Sequence, residues 1–395
     1  MSRTAPSYPR LGNADIAELT DWRHDLHRHP ELSGEEAETA RRVQAVLQAT
    51  GPDRIVTGLG GHGVAAVYEG AAPGPRVLLR CELDALPIEE HSKAAYRSTV
   101  AGKGHLCGHD GHMAMLAATA RLLGRSRPAR GSVVLMFQPA EEDGSGAAKV
   151  VSDPGFAALQ PDFAFAIHNM PGMPLGHVAL TPGPSACASR GMRLRLIGKT
   201  AHASQPETGL SPMPVLSYLM PALTALGQGG PLDDPNFALA TVTHARLGAP
   251  AFGIAPGEAE LFVTLRSLTD GRMEQLVSEA ETLVQAATAA AGLEADITYE
   301  DVFVTTTSDA DAVAIARRAL DRLGIPHGRD PLPMRPSEDF GRFGAGAELA
   351  FLLLGAGEGR PALHNPDYDF PDELIPTGAA IFTAILDEVL GAPTT

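Results

Sequence analysis

The sequence predicts an α/β protein whose mostly parallel sheet is interrupted by a smaller, inserted α+β domain. Two observations predict it. The segments "SVVLMF", "FAFAI" and "ELAFLLLGAG" are unbroken apolar runs, the pattern of strands buried on both faces of a parallel sheet, with helical patterns between such strands. The middle of the chain reads differently. Polar and apolar residues alternate there, as on strands exposed on one face, in the order β-α-β-β-α-β of the ferredoxin-like split unit.

Each element follows from its local pattern. "DIAELTDWRHDLHRH" puts Ile16, Leu19, Trp22 and Leu26 on one helical face. A second helix follows in "ELSGEEAETARRVQAVLQATG", where Ser33 and Glu36 match a capping box and Gly51 suits the position past its end. "GVAAVYE" and "RVLLRCELDALP" read as strands, "HMAMLAATARLLG" as a helix, then "SVVLMFQPAEED" and "FAFAIHN" as buried strands. In the middle, "RGMRLRLIGKTAH" alternates, "PMPVLSYLMPALTALGQ" is helical despite its prolines, and "NFALATVTHARLGA" and "AELFVTLRSL" are strands. The long helix "RMEQLVSEAETLVQAATAAAG" and the strand "EADITYEDVFV" complete the insertion. We place it at residues 186–300, within a discontinuous domain made of 1–185 and 301–395.

Bulk composition narrows the function. A chain of 395 residues with 44% hydrophobic and 20% charged content suits two globular domains. The formal charge of -16 argues against nucleic acid, and an anionic ligand would need local positive groups. Three cysteines, Cys81, Cys107 and Cys187, form no disulfide framework and fit a reducing, cytoplasmic compartment. Neither a signal-peptide run nor a membrane span is evident.

In open α/β sheets, ligands bind beyond the carboxyl ends of the strands. "RVLLRCEL" ends at Asp84, "SVVLMF" leads into Glu141 and Glu142, and "FAFAI" ends at His168, so three strands send acid or imidazole groups to one sheet edge. The stretch "GHLCGHDGHM" adds three histidines, an aspartate and a cysteine in ten positions. Its Cys107-x-His109 spacing lets thiolate and imidazole reach one borderline transition metal, and a helix N-terminus near His112 would favour the thiolate. Two other readings stand beside this one. Cys107 is a small core residue, or it is a nucleophile served by a histidine base. Of the adjacent acids, one can bind metal while the other moves a proton.

The set "HRHPELSGEE", "LDALP", "CGHDGH", "QPAEE", "IHN", "GKTAHASQP", "SEDF" and "LHNPDYDF" resembles the aminoacylase/carboxypeptidase family of dinuclear metallopeptidases. More narrowly, it resembles the amidohydrolase branch that includes hippurate hydrolases and plant auxin-conjugate hydrolases. The motifs span about residues 24–378 in the family's order. The resemblance implies a catalytic α/β domain and an inserted lid that mediates dimerisation, giving a homodimer or higher homo-oligomer. It implies two divalent ions (Zn, Mn, Co or Ni) on Cys107, His109, Glu142, His168 and His364. Glu141 would be the general base, Asp84 an orienting carboxylate, and His202 a group contributed by the lid. Arg266 of "TLRSL" would clamp a substrate carboxylate. The implied reaction is hydrolysis of the amide bond of an N-acyl amino acid or short peptide.

A dipeptidase or carboxypeptidase would use the same chemistry. A non-catalytic metal- or ligand-binding homologue is the rival from another class, against which stands the presence of Glu141 and all five ligands. His24, His27 and His29 receive no ligand role, while His105 and His112 flank the site. Three departures stand out: Glu82 where the family's acid-x-acid run most often starts with aspartate, Gly253 of "AFGIAP" where an asparagine is usual, and Ser211 where an aspartate is common.

Overall fold

In a computed structural model, residues 8–393 are described, and they divide into two compact units. The first holds residues 8–185, Thr306–Leu332 and 339–393. The second holds Ala186–Thr305 and Pro333–Glu338.

The first unit is built on an eight-stranded sheet. Its order is Arg54–Leu59, Gly63–Glu69, Ser132–Gln138, Arg76–Glu82, Phe163–Pro171, Glu348–Gly357, Val178–Ala179 and His327–Gly328. The four central strands, Ser132–Gln138 to Glu348–Gly357, pair in parallel. Strands Arg54–Leu59 and Gly63–Glu69 join antiparallel at one edge. The central strands carry the apolar runs because both faces are covered: every residue of Ser132–Gln138 is buried. Helices His109–Arg125 and Leu374–Leu390 contribute Met113, Leu116, Ile381, Phe382 and Ile385 to the same core. Fully burying one such side chain contributes about 1.5–3 kcal/mol. Strand Arg54–Leu59 and helices Ala310–Leu323 and Leu374–Leu390 lie outside the elements expected from sequence.

Two local expectations are corrected. The second helix starts at Ala37, and Glu36, its N-cap, makes no side-chain cap bond. Ser33 and Glu36 do not close on each other, because both have distant partners. Ser33 Oγ donates to Asp84 Oδ2 at 2.7 Å, and Glu36 Oε1 accepts from the Gly34 and Ala140 N–H groups, both at 2.8 Å. The helix of the histidine-rich stretch starts at His109 rather than near His112, with Gly108 as its N-cap at φ 89°.

The second unit has four antiparallel strands in the order Ala238–Leu247, Glu258–Ser267, Ala188–Ile197, Glu294–Phe303. Helices Met213–Ala225 and Asp270–Ala291 supply Leu216, Leu219, Leu223, Leu276 and Val284 to its own core. In Glu258–Ser267 buried residues recur at every second position, so one strand face meets the helices. Thr269 caps the longer helix by accepting from the Arg272 N–H, and Gly292 closes it at φ 68°. Among the described residues, no helix is long and apolar enough to cross a membrane.

Candidate metal centre

The parallel strands of the first unit bring its predicted site residues together. Asp84 follows Arg76–Glu82, and Glu141 and Glu142 follow Ser132–Gln138 after a turn. His168 lies inside Phe163–Pro171 rather than at its end, since pairing with Glu348–Gly357 continues to Pro171. Cys107 precedes the N-cap of helix His109–Arg125, and His109 is the first helical residue.

Several overlapping donor triads result: one joins His109, Glu141 and Glu142, and two share Cys107. Cys107, His109 and His168 offer ligand atoms within 4.8 Å of one another, and so do Cys107, Glu142 and His364. Cys107 is common to both. Its Sγ lies 3.5 Å from His168 Nε2, while His364 Nε2 lies 3.6 Å from Glu142 Oε2. Glu141 Oε2 and Glu142 Oε1 stand 3.9 and 3.8 Å from His109 Nε2. Cys107, His109, Glu141 and His168 are buried, whereas the His364 side chain is half exposed.

Hydrogen bonds orient these groups. His109 Nδ1 donates to the Asp84 carbonyl at 2.9 Å, which turns Nε2 toward the acids. His168 Nδ1 donates to the Asn169 carbonyl at 2.7 Å, which turns Nε2 toward Cys107. Asp84 Oδ2 accepts from Ser33 and from the Glu142 N–H at 2.9 Å, so Asp84 holds the loop that carries the two glutamates.

The site fits a metal on two grounds. His109 Nε2, Glu142 Oε1 and Asp84 Oδ1 are buried without a hydrogen-bond partner, a state that is costly unless something else satisfies them. The donors, one thiol with imidazoles and carboxylates, suit a borderline divalent ion. Electrostatics agree. Burial, with Glu142, Glu141 and Glu82 nearby, pushes the Cys107 thiol well above its ordinary value, against the expected help from the helix N-terminus. Burial pushes Glu142 up to about 7 despite His109. Burial would lower His109, but Glu82, Asp84 and Glu142 outweigh it and raise it to about 10. The buried acids dominate this set, which therefore favours positive charge among them, here a proton on His109.

His112 also falls in a candidate cluster, with Glu82 and His109. Both its ring nitrogens are engaged: Nδ1 lies 2.7 Å from Glu82 Oε2, and Nε2 accepts from the Asn169 N–H at 3.0 Å. Sequence reasoning missed a buried ionic group behind the site. Arg23 Nε and His27 Nδ1 lie 2.6 and 2.8 Å from Asp110 Oδ2, all three side chains fully buried. This ties the motif "HRHP" to the first turn of helix His109–Arg125, and the aspartate inside "CGHDGH" is the signal that could have revealed it.

His202 and Arg266 belong to the second unit. His202 is exposed, and its Nδ1 accepts from the Ser204 N–H at 3.1 Å, which leaves Nε2 to carry the proton. Arg266 is partly buried on strand Glu258–Ser267, where Nη1 donates to Ser337 Oγ at 2.8 Å and to the Arg335 carbonyl at 3.2 Å.

Comparison with known proteins gives a consistent result. A model of peptidase family M20/M25/M40 matches residues 78–388. IAA-amino acid hydrolase ILR1-like 2 of Arabidopsis thaliana is 31% identical over 395 residues, covering 95% of this chain and 87% of that protein. Hippurate hydrolase of Campylobacter jejuni is 29% identical over 370 residues, covering 93% of this chain and 95% of that protein. Among solved structures, a Bacillus subtilis protein described as a dinuclear metal-binding peptidase of the M20 family superposes with a TM-score of 0.80 at 25% identity, covering 96% of this chain and 100% of that chain.

Proposed function

Because the chain belongs to peptidase family M20/M25/M40, and is therefore a hydrolase of amide bonds, we propose that it cleaves N-acyl amino acids with two divalent ions. Cys107, His109 and His168 would hold one ion, and Cys107, Glu142 and His364 would hold the other. The observation that carries this reading is the sharing of Cys107 by two donor triads with Glu141 alongside. Relatives described as IAA-amino acid hydrolase, hippurate hydrolase and N-acetylcysteine deacetylase support the acyl amino acid class.

Divalent ions bound there would supply Lewis acidity, polarising the amide carbonyl and acidifying water. The protein's residues do the rest. Glu141 accepts the proton of the attacking water and passes it to the leaving nitrogen, so water adds across the C–N bond and yields a carboxylic acid and an amino acid. Asp84 orients His109 and the Glu142 loop. His202 donates through Nε2–H to the oxyanion. Arg266 binds the substrate carboxylate, its guanidinium positioned by bonds from Nη1 to Ser337 Oγ and the Arg335 carbonyl. We assign the second unit the role of lid and dimer face: strand Ala238–Leu247 is its sheet's outer strand and is largely exposed. A cytoplasmic location accords with three free, buried cysteines.

The test is hydrolysis of hippurate, N-acetyl amino acids and dipeptides by chelator-stripped protein after addition of Mn, Zn, Co or Ni. Restored cleavage of the acyl amino acids is expected, with dipeptides poorer. Glu141→Gln should lower kcat by about 10²–10⁴-fold while bound metal persists. A fully active Glu141→Gln protein would end this assignment.

A further inference from the structure

Next to the proposed metal centre, one residue with no assigned role takes part in five polar contacts. Asn169 is fully buried. Its Nδ2 donates to the Cys107 carbonyl at 2.7 Å and lies 2.9 Å from His112 Nε2. Its Oδ1 accepts from the Tyr368 hydroxyl. Its backbone N–H donates to His112 Nε2 at 3.0 Å, and its carbonyl accepts from His168 Nδ1 at 2.7 Å. Asn169 therefore touches both Cys107 and His168, which share one donor triad.

The surroundings read an amide and nothing else of that size. One end must donate toward Cys107 and His112, and the other must accept from Tyr368. Aspartate keeps the acceptor, loses both donors and sets a carboxylate against the Cys107 carbonyl. Leucine has the volume but leaves buried polar groups unpaired. Gly108 makes the arrangement possible: a Cβ there would lie 2.5 Å from Asn169 Nδ2, and its φ of 89° suits glycine. From the other side the amide is backed by a buried chain. His112 donates from Nδ1 to Glu82, Glu82 pairs with Arg80, and Arg80 bonds Gln138 Oε1 at 2.8 Å and Asp339 Oδ1 at 2.7 Å.

We propose that Asn169 is a positioning residue for the metal centre, its amide fixing the Cys107 loop and the His168 ring so that sulfur and Nε2 face one ion. The role rests on the metal reading above. Partners in the outer shell set ring orientation and ligand basicity, and their loss lowers metal affinity by about 10–100-fold.

The experiment uses full-length, chelator-stripped protein and Co(II), read by competition with a chelator and by the thiolate-to-Co(II) charge-transfer absorption. Asn169→Leu and Asn169→Asp should each weaken Co(II) binding by about 10–100-fold and shift or weaken that absorption at saturation. A merely structural role would lower thermal stability and leave the saturated spectrum unchanged. Tyr368→Phe removes one contact, so it should give a severalfold loss of affinity, and it decides the matter if both Asn169 variants misfold. Folded Asn169 variants with wild-type affinity and spectrum would overturn the role, as would an unaltered Tyr368→Phe in the misfolding case. If the wild-type protein itself gave no thiolate absorption with Co(II), the metal reading would fail first.

Discussion

Ala140 and His364 carry φ values of 50° and 66°, two of three positive values among the described non-glycine residues. This region costs an L-residue about 1–2 kcal/mol and persists where contacts over-determine it. Here the Ala140 N–H donates to Glu36 and its carbonyl accepts from Gly146, while the His364 N–H donates to Leu106 at 2.9 Å. The strain falls immediately before Glu141 and at the proposed late ligand. Protonation is the second matter at this scale. Without metal, Cys107 and His109 hold their protons at neutral pH, since their pKa values are pushed well up and up to about 10. Ligation displaces those protons, so the bound form holds fewer and rising pH favours it. Zn(II) affinity should climb between pH 6 and 8 by roughly tenfold per pH unit for each proton displaced. Calorimetry in buffers of different ionisation heat would check this, and a flat profile would contradict it. Asp84, Glu141 and Glu142 were legible in the sequence because parallel strands send their ends to one edge. Ser33, Glu36 and Asn169 were not, because their partners lie far along the chain and no local pattern announces them.

Among the elements, helix His109–Arg125 sets the frame. It packs closely on helix Leu374–Leu390 and on the loop before it, and glycines make room. A Cβ at Gly111 would run into the Phe370 ring, and one at Gly378 into Met115. Gly378→Ala should therefore destabilise the protein by about 1–3 kcal/mol through overpacking. Urea unfolding should give a lower midpoint with an unchanged slope; an unshifted midpoint would mean that the helices part without cost. The β-α-β-β-α-β order was readable because its strands alternate on a half-exposed sheet. Helix Leu374–Leu390 was harder to read, since it is buried around most of its circumference and shows no polar stripe. Helix Ala310–Leu323 does carry such a stripe, with Gly324 closing it at φ 67°, so its signal was available.

At the scale of the molecule, the second unit has its own core and adjacent ends. Strands Ala188–Ile197 and Glu294–Phe303 pair, with Ser189 opposite Phe303. An isolated 186–305 fragment should unfold cooperatively by circular dichroism and bind neither Zn(II) nor Co(II), since every donor of both triads lies in the first unit. Metal capture by the fragment would move the site elsewhere. The change from unbroken apolar strands to alternating ones falls near its start at Ala186. The short return of Pro333–Glu338 to the second unit was not readable, because six loop residues carry no periodicity. The two triads also differ in where their donors lie along the chain. Cys107, His109 and His168 all precede the second unit along the chain, whereas His364 follows it. A chain cut short between the second unit and His364 would keep the residues of the first triad and lack a donor of the second.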